Sequence, residues 1–256
     1  MPPLRIISRL DIKGPNVVKG VHLEGLRVVG HPGEMARRYY EQGIDEIIYM
    51  DIVASLYGRN NILSIVREAT RDVFVPLTVG GGLRSIDDIV EALRSGADKV
   101  AINTAAIRRP DLIAEAGRAF GSQCIVVSIE AKRWPDGRPG WEALTDNGRE
   151  RTGIDAVAWA EQAQRLGAGE LLVTSVDREG TARGFDLELL SEIHARVRIP
   201  VIASGGCGGP DHAAAVATRH CADAIACAHI FQYEICPVPQ LKSELQRAGI
   251  EVRRCV

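Results

Sequence analysis

The chain has 256 residues, of which 46% are apolar and 25% are charged, and its formal net charge at pH 7 is −2. This composition is typical of a globular protein, and the charge argues against binding to nucleic acid or to an acidic membrane. No apolar run reaches the ~18 residues of a membrane span, and the charged N-terminus is unlike a secretion signal. The six cysteines contain no CxxC pair. We therefore expect a cytoplasmic protein with reduced thiols, no metal and no other cofactor.

Short apolar runs alternate with amphipathic helical patterns along the whole chain. The predicted strands cover 5–11, 46–51, 75–80, 98–102, 124–130, 170–175, 200–204 and 223–227. The predicted helices cover 33–43, 60–71, 85–95, 110–119, 154–166, 186–196, 210–219 and 238–248. Strict alternation predicts a parallel sheet, and the length fits a single (β/α)8 barrel domain over residues 1–256. An open doubly wound sheet is the alternative, but its GxGxxG motif is absent.

The sequence also repeats itself, with similar segments recurring roughly 120 residues further along the chain. RLDIKG at 9–14 is similar to SIEAKR at 128–133, and TVGGG at 78–82 is similar to IASGG at 202–206. The repeat predicts two similar half-barrels, at about 1–120 and 121–256.

Carboxylates stand at the ends of four predicted strands, in two symmetric pairs. Asp11 and Glu130 end the first and fifth strands, while Asp51 and Asp177 end the second and sixth. Because active sites of such barrels lie at the C-terminal ends of the strands, Asp11 and Glu130 are predicted to face each other as general acid and base. The alternative is that these carboxylates only cap the loops that follow.

Glycines and small residues follow the other four strands, again in two similar sets. The candidate residues are Gly81, Gly82, Asn103 and Thr104 in the first half, and Gly205, Gly206, Ala228 and His229 in the second. Glycine lets backbone N–H groups approach an anion closely. We therefore expect two phosphate sites on opposite sides of one mouth, although glycine also serves ordinary turns.

Charged residues of alternating sign stand at the opposite end of the predicted barrel. Arg5, Glu46, Lys99 and Glu170 lie at strand starts and can turn toward the barrel axis. Such charges are usually solvated rim residues. Their alternation predicts a ring of ion pairs that plugs or gates the bottom.

The segments VVKG at 17–20, GADKVAINTAA at 96–106 and GSQ at 121–123, with the two glycine motifs, resemble the cyclase subunit of imidazole glycerol phosphate synthase from histidine biosynthesis. The resemblance covers nearly the whole chain. It implies a lyase that uses ammonia from a partner glutaminase. The ammonia enters at the bottom of the barrel through the charged ring. The ammonia reacts at the top with a bisphosphorylated ribulosyl-formimino aminoimidazole carboxamide ribonucleotide. The products are imidazole glycerol phosphate and aminoimidazole carboxamide ribonucleotide.

The resemblance also implies roles for individual residues. Asp11 matches the family's first catalytic Asp, and Lys19 matches its mobile-loop Lys. The phosphate contacts match Gly82, Asn103, Thr104, Gly180, Gly206 and Ala228. The glutaminase is expected on the bottom face, near Asp98 and the charged ring.

Four residues depart from the family pattern. Glu130 and Glu179 replace Asp residues of the active site and the second phosphate loop, Arg9 replaces a Cys, and His229 replaces a Ser. Arg9 should face into the barrel beside Asp11, because residues two apart on a strand share a face. Glu130 is then either a long-armed catalytic carboxylate or an ion-pair partner of Arg9.

These departures leave other functions open. One alternative is a paralogous ammonia-using synthase that acts on another substrate, such as a surface sugar. A second is a non-catalytic activator of a glutaminase, although the retained Asp11 and Lys19 argue against it. A phosphosugar isomerase is more distant, since it needs no ammonia gate.

Overall fold

The computed structural model describes residues 2–54 and 62–253. Its strands are β1 (Arg5–Lys13), β2 (Asn16–Val21), β3 (Glu24–Gly30), β4 (Glu46–Asp51), β5 (Leu77–Gly80), β6 (Lys99–Ile102), β7 (Ile125–Arg133), β8 (Trp141–Thr145), β9 (Glu150–Asp155), β10 (Glu170–Ser175), β11 (Val201–Ser204) and β12 (Ala224–Cys227). Its helices are α1 (Pro32–Glu41), α2 (Ile62–Ala69), α3 (Ile86–Arg94), α4 (Thr104–Arg108), α5 (Asp111–Phe120), α6 (Ala156–Leu166), α7 (Leu187–Arg196), α8 (Pro210–Thr218), α9 (His229–Gln232) and α10 (Val238–Arg247).

Eight of the strands form a closed parallel barrel. The order is β1, β4, β5, β6, β7, β10, β11 and β12, and β12 pairs with β1 to close the ring. Helices connect successive barrel strands, which confirms the predicted (β/α)8 fold. No helix in residues 2–54 and 62–253 is both long and apolar enough to cross a bilayer.

Alternation along the strands divides the core into two layers. Ile7, Ile48, Val126, Leu172 and Ile202 point inward and form a cluster inside the barrel. Their neighbours along the strands point outward and pack against the helices in a larger cluster. Strands buried on both faces are apolar at almost every position, which is why the sequence shows continuous apolar runs.

The same alternation places functional side chains along β1. Arg5, Ile7, Arg9 and Asp11 share the inward face, from the N-terminal end of the strand to its C-terminal end. One strand therefore carries a charged residue at the bottom of the barrel, an apolar residue in the middle, and two charged residues at the mouth.

The predicted helix boundaries agree closely with the structure. Ser85 caps α3 through a capping box with Asp88, and α5 begins at Asp111, directly after Pro110. The predicted helix 60–71 starts outside the described residues, and its described part is α2. The described cysteines are free thiols, and Cys255 lies outside the described residues.

Two antiparallel hairpins at the mouth do not appear in the prediction. β2 and β3 continue from β1, with Asp11 opposite Val18, and β8 and β9 continue from β7, with Glu130 opposite Leu144. Their sequences are rich in glycine and polar residues, because each hairpin has largely exposed segments. Both hairpins extend the barrel wall on the side where the candidate site lies.

Candidate active site

Asp11 lies near the C-terminal end of β1 and is almost fully buried at the barrel mouth. Its Oδ1 accepts a hydrogen bond of 2.9 Å from Nε of Arg9, which lies two residues earlier on the same face of the strand. Such a charge-assisted contact is stronger than a neutral hydrogen bond. The Asp11 carboxylate therefore has a fixed position at the floor of the mouth.

Glu130 stands at the same level on β7. Its Oε2 accepts hydrogen bonds from Nδ2 of Asn103 at 2.9 Å and from the backbone N–H of Gly148 at 2.7 Å. Burial raises the pKa of Glu130 to about 7, and the negative charge of Asp11 acts in the same direction, while Arg9 and the two hydrogen bonds oppose it. A carboxyl group of this kind can both hold and release a proton near neutral pH.

Arg9 faces the barrel interior, as predicted from its alternation with Leu10. Besides the bond to Asp11, its Nη1 donates to Oγ1 of Thr174 at 2.9 Å and to Oγ of Ser204 at 3.2 Å. The hypothesis that Glu130 is its ion-pair partner is not supported, because Asp11 on the same strand lies within direct reach of Nε. The charge of Arg9 still acts on Glu130 from a longer distance.

Lys19 and Glu179 form a buried ion pair beside Arg9. Lys19 lies on β2, and Glu179 lies in the loop after β10, so the pair joins the hairpin to the opposite side of the mouth. Burial alone would raise the pKa of Glu179, but Lys19 and Arg9 outweigh it and lower that pKa. Glu179 is therefore a carboxylate at neutral pH.

The first predicted phosphate site lies in an open cavity of about 620 Å³ on one side of the mouth. The predicted residues that line it are Gly81, Gly82, Asn103 and Thr104, together with Glu130 and Asp51. Gly81 has a φ of 95°, and a Cβ there would lie 2.0 Å from the carbonyl oxygen of Asp51. Only glycine fits at that position, so the loop keeps its backbone open toward the cavity.

The second predicted phosphate site is nearly filled by protein atoms. The predicted residues around it are Arg9, Lys19, Glu179, Gly180, Gly205, Gly206, Ala228 and His229. They enclose only about 10 Å³, which is room for roughly one water. Gly206 has a φ of 99°, and a Cβ there would lie 2.2 Å from the carbonyl oxygen of Gly184. Burial and the nearby Lys19 lower the pKa of His229, so this side chain is largely neutral at pH 7.

The second symmetric pair of carboxylates does not stay together at the mouth. Asp51 accepts hydrogen bonds from the N–H groups of Val53 and Ala54, so it caps the turn after β4. Asp177 lies two residues beyond the end of β10 and accepts a hydrogen bond of 2.9 Å from the N–H of Arg133. It lines an outer groove rather than either predicted phosphate site. The structure therefore brings Asp51, but not Asp177, to the cavity of the first predicted phosphate site.

The four charged residues at the barrel bottom form a closed ring of ion pairs. Arg5 contacts both Glu46, at 2.7 Å, and Glu170, while Lys99 contacts Glu46 at 3.0 Å and Glu170 at 2.8 Å. Burial would raise the pKa of Glu46, but Arg5 and Lys99 lower it. Asp98 is exposed on the same face, and its carboxylate accepts a hydrogen bond from the N–H of Leu77.

Several residues of the mouth were not found from the sequence. Thr174 and Ser204 hold Arg9 and could have been identified, because they occupy inward positions near strand ends. Gly148 holds Glu130 from the β8–β9 turn, and no local pattern predicts that contact. The remaining charged lining of the larger cavity is Arg84, Arg108 and Arg109.

The sequence of the chain is similar to those of several known proteins. A family model described as "Histidine biosynthesis protein" matches residues 5–236. A relative from Legionella pneumophila, named imidazole glycerol phosphate synthase subunit HisF, is 63% identical over 208 residues, covering 81% of this chain and 97% of the relative. Relatives with the same name from Methanopyrus kandleri and Corynebacterium diphtheriae are 45% and 48% identical, each covering 98% of both chains. The chain therefore belongs to the histidine biosynthesis protein family.

Proposed function

We propose that the chain is the cyclase subunit of an imidazole glycerol phosphate synthase, a lyase of histidine biosynthesis. It uses ammonia from a partner glutaminase to convert the bisphosphorylated formimino aminoimidazole carboxamide ribonucleotide into imidazole glycerol phosphate and aminoimidazole carboxamide ribonucleotide. The family membership and the shared name of the relatives support this function. The biosynthetic role and the reduced thiols fit a cytoplasmic location.

Asp11 and Glu130 are the catalytic acid and base in this proposal. The observation that carries it is the position of these two buried carboxyl groups near the C-terminal ends of β1 and β7. Burial also raises the pKa of Glu130 to about 7. Two carboxyl groups in different environments can divide the acid and base roles at one pH. Asp11 is held by Arg9, while Glu130 is held by an amide and a backbone N–H. Asp11 therefore has a charged partner and Glu130 has neutral partners, and this difference allows one group to act as the acid and the other as the base.

The two ends of the barrel supply the substrates. The glycine loops at Gly81–Gly82 and Gly205–Gly206 offer backbone N–H groups to the two phosphates, with Lys19 assisting the second. Ammonia from a glutaminase bound to the bottom face passes the ring that includes Arg5 and Glu46. It then crosses the apolar interior of the barrel, which suits a small neutral molecule.

The isolated chain, supplied with an ammonium salt at mildly alkaline pH, tests this function. We expect it to convert the bisphosphorylated substrate into the two named products in a ratio of one to one. Added glutamine should replace the ammonium salt only when a cognate glutaminase is present. The absence of both products at every ammonium concentration would contradict the proposal.

A second candidate is an ammonia-using synthase that acts on another substrate, and the buried Arg9–Asp11 ion pair favours it. A charged pair at the floor of the mouth changes the shape and charge that a substrate meets. The double variant Arg9→Cys with Glu130→Asp restores the residues of the family pattern. A large gain in turnover of the histidine-pathway substrate in this variant favours the second candidate, and no gain favours the first.

A further inference from the structure

The guanidinium of Arg9 keeps one donor free at the floor of the mouth. Its Nε and Nη1 are engaged by Asp11, Thr174 and Ser204, but its buried Nη2 has no hydrogen-bond partner among residues 2–54 and 62–253. The Arg9 side chain is only 3% exposed, so bulk water does not reach this group. A buried donor without a partner is costly, and it indicates a ligand that is not yet in place.

The position of Arg9 indicates which part of a ligand would reach Nη2. Arg9 lines the smaller cavity of the mouth, together with Gly205, Gly206 and Ala228. The nearby electrostatics agree, because the charge of Arg9 helps to lower the pKa of Glu179 in the same cavity. An anion placed where the Glu179 carboxylate now lies would therefore be attracted by Arg9.

We propose that Arg9 is a substrate-binding residue, whose free Nη2–H donates a hydrogen bond to an oxygen of the substrate phosphate held by the Gly205–Gly206 loop. This assignment rests on the proposed function, since it takes the ligand to be a phosphorylated substrate. A phosphate oxygen is a strong acceptor, and arginine is suited to it because its charge is permanent. The contact breaks none of the three hydrogen bonds that Arg9 already makes.

Phosphate binding in the smaller cavity also requires the side chain of Glu179 to move. The cavity has room for about one water, and the paired side chains of Lys19 and Glu179 form part of its wall. A phosphate must therefore displace the Glu179 carboxylate from Lys19. The phosphate then lies between the two cations Lys19 and Arg9. Of these two, Lys19 forms the ion pair with Glu179, and Arg9 pairs with Asp11. The family pattern, with Cys in place of Arg9, has no such second cation, so Arg9 is a specificity difference of this chain.

The test is a titration of the full chain with inorganic phosphate, followed by NMR of the backbone amides. The signal of Gly206 reports the site at Arg9, and the signal of Gly82 reports the other site. We expect Arg9→Met to weaken phosphate binding at Gly206 by about tenfold or more and to leave binding at Gly82 unchanged. Arg108→Met is the matched control, because it removes the same charge beside the larger cavity. It should leave the Gly206 affinity unchanged.

A crystal of the unaltered chain soaked in phosphate gives a measurement that does not depend on variants. We expect a phosphate oxygen within hydrogen-bond distance of Arg9 Nη2. If Arg9→Met does not fold, Arg9→Lys can be used, because it keeps the positive charge but lacks the several N–H donors of the guanidinium group. It should weaken phosphate binding at Gly206 by a smaller factor. Unchanged affinity at Gly206 in the Arg9 variants, or a soaked phosphate that leaves Nη2 without a contact, overturns the assignment.

These outcomes are separate from those of the proposed function, because no turnover is measured. If the chain binds phosphate through Arg9 but does not convert the histidine-pathway substrate, the proposed function fails while the assignment of Arg9 as a phosphate-binding residue stands. If the chain turns over that substrate but the Arg9 variants bind phosphate at Gly206 as tightly as the unaltered chain does, the proposed function stands and the assignment of Arg9 fails.

Discussion

A buried arginine needs an anion, and the choice of anion decides how the mouth is organised. Arg9 could have reached across the barrel to Glu130 on β7, but it contacts Asp11 on its own strand. Side chains two residues apart on one strand point the same way, so this contact forms without any adjustment of the barrel. Glu130 is then left to Asn103 and Gly148, which are neutral partners. Its carboxyl group consequently keeps a raised pKa.

Replacing Asp11 by Asn tests its catalytic role with little change of shape. We expect ammonia-dependent turnover to fall by about 10²–10⁴-fold, which is the usual contribution of general acid–base catalysis. Binding of inorganic phosphate near Gly82 should stay close to that of the unaltered chain, because Asp11 does not line that cavity. Steady-state rates and a phosphate titration give the two results. Retention of more than about a tenth of the rate would show that Asp11 is not the acid or base.

Glu130 makes the stability of the protein depend on pH in a defined direction. Its pKa is about 7 in the folded chain, against an ordinary value of 4.5 for glutamate. Between these values the folded state holds a proton that the unfolded state has lost, so the free energy of unfolding falls as pH rises through this window. Glu130→Gln removes the effect. Urea unfolding at several pH values should therefore show the variant gaining stability relative to the unaltered chain up to about pH 7.

Glu34→Gln is the control for this measurement, because Glu34 is an exposed carboxylate on α1. A gain with pH as large as that of Glu130→Gln would show that the effect does not belong to Glu130. A constant difference for Glu130→Gln would mean that Glu130 titrates normally.

At the scale of elements, the sequence predicted the barrel strands, which have a clear apolar pattern. It did not predict the two hairpins, whose positions depend on packing against distant parts of the chain. Runs such as 124–130 are apolar because both faces of a barrel strand are buried, so all eight barrel strands were found. The hairpins β2–β3 and β8–β9 lack this signal, since β3 and β9 are largely exposed and carry few buried apolar residues. The contact of Gly148 with Glu130 depends on that packing. The pairing of Arg9 was also missed, because local alternation predicts a direction and not a partner.

A small apolar cluster fastens the β2–β3 hairpin to the other side of the mouth. Leu23, at the hairpin turn, packs with Leu144 on β8 and with Val176 after β10. The N–H of His22 also donates to the carbonyl of Glu179, and the ring of His22 contacts the carbonyl of Val176. Lys19 on this hairpin therefore reaches Glu179 only while the cluster holds.

Leu23→Ala should loosen the hairpin without unfolding the barrel. We expect amide exchange across residues 16–30 to become about tenfold faster or more, because local opening loses buried apolar contacts. The substrate KM should rise, and the exchange of inner barrel strands should stay the same. Val28→Ala is the control on the same hairpin, since Val28 is 64% exposed. Equal exchange in the two variants would show that the Leu23 cluster does not hold the hairpin.

At the scale of the whole molecule, the two ends of the barrel have separate roles in one chain. We propose that the half-barrels at about 1–120 and 121–256 each contribute the same parts. β1 and β7 both have nine residues and both lead into a hairpin, and α4 and α9 are short helices that follow β6 and β12. The bottom ring draws on both halves, because Arg5 and Lys99 contact Glu46 of the first half and Glu170 of the second half. The exposed rim around that ring is the surface that we propose for the glutaminase.

Asp98 is the residue through which this surface can be tested. It is exposed beside Lys99 of the ring, and its carboxylate also accepts the N–H of Leu77. Asp98→Lys reverses the charge, and we expect it to abolish co-purification with a cognate glutaminase. Asp98→Asn keeps an acceptor for Leu77 and should weaken binding less.

Asp136→Lys makes the same charge change in the exposed loop between β7 and β8, at the opposite end of the barrel, and should bind normally. Ammonia-dependent turnover should be unaffected in all three variants, because neither Asp98 nor Asp136 lines a cavity of the mouth. Glutaminase binding that survives Asp98→Lys but is lost in Asp136→Lys would place the partner at the mouth instead.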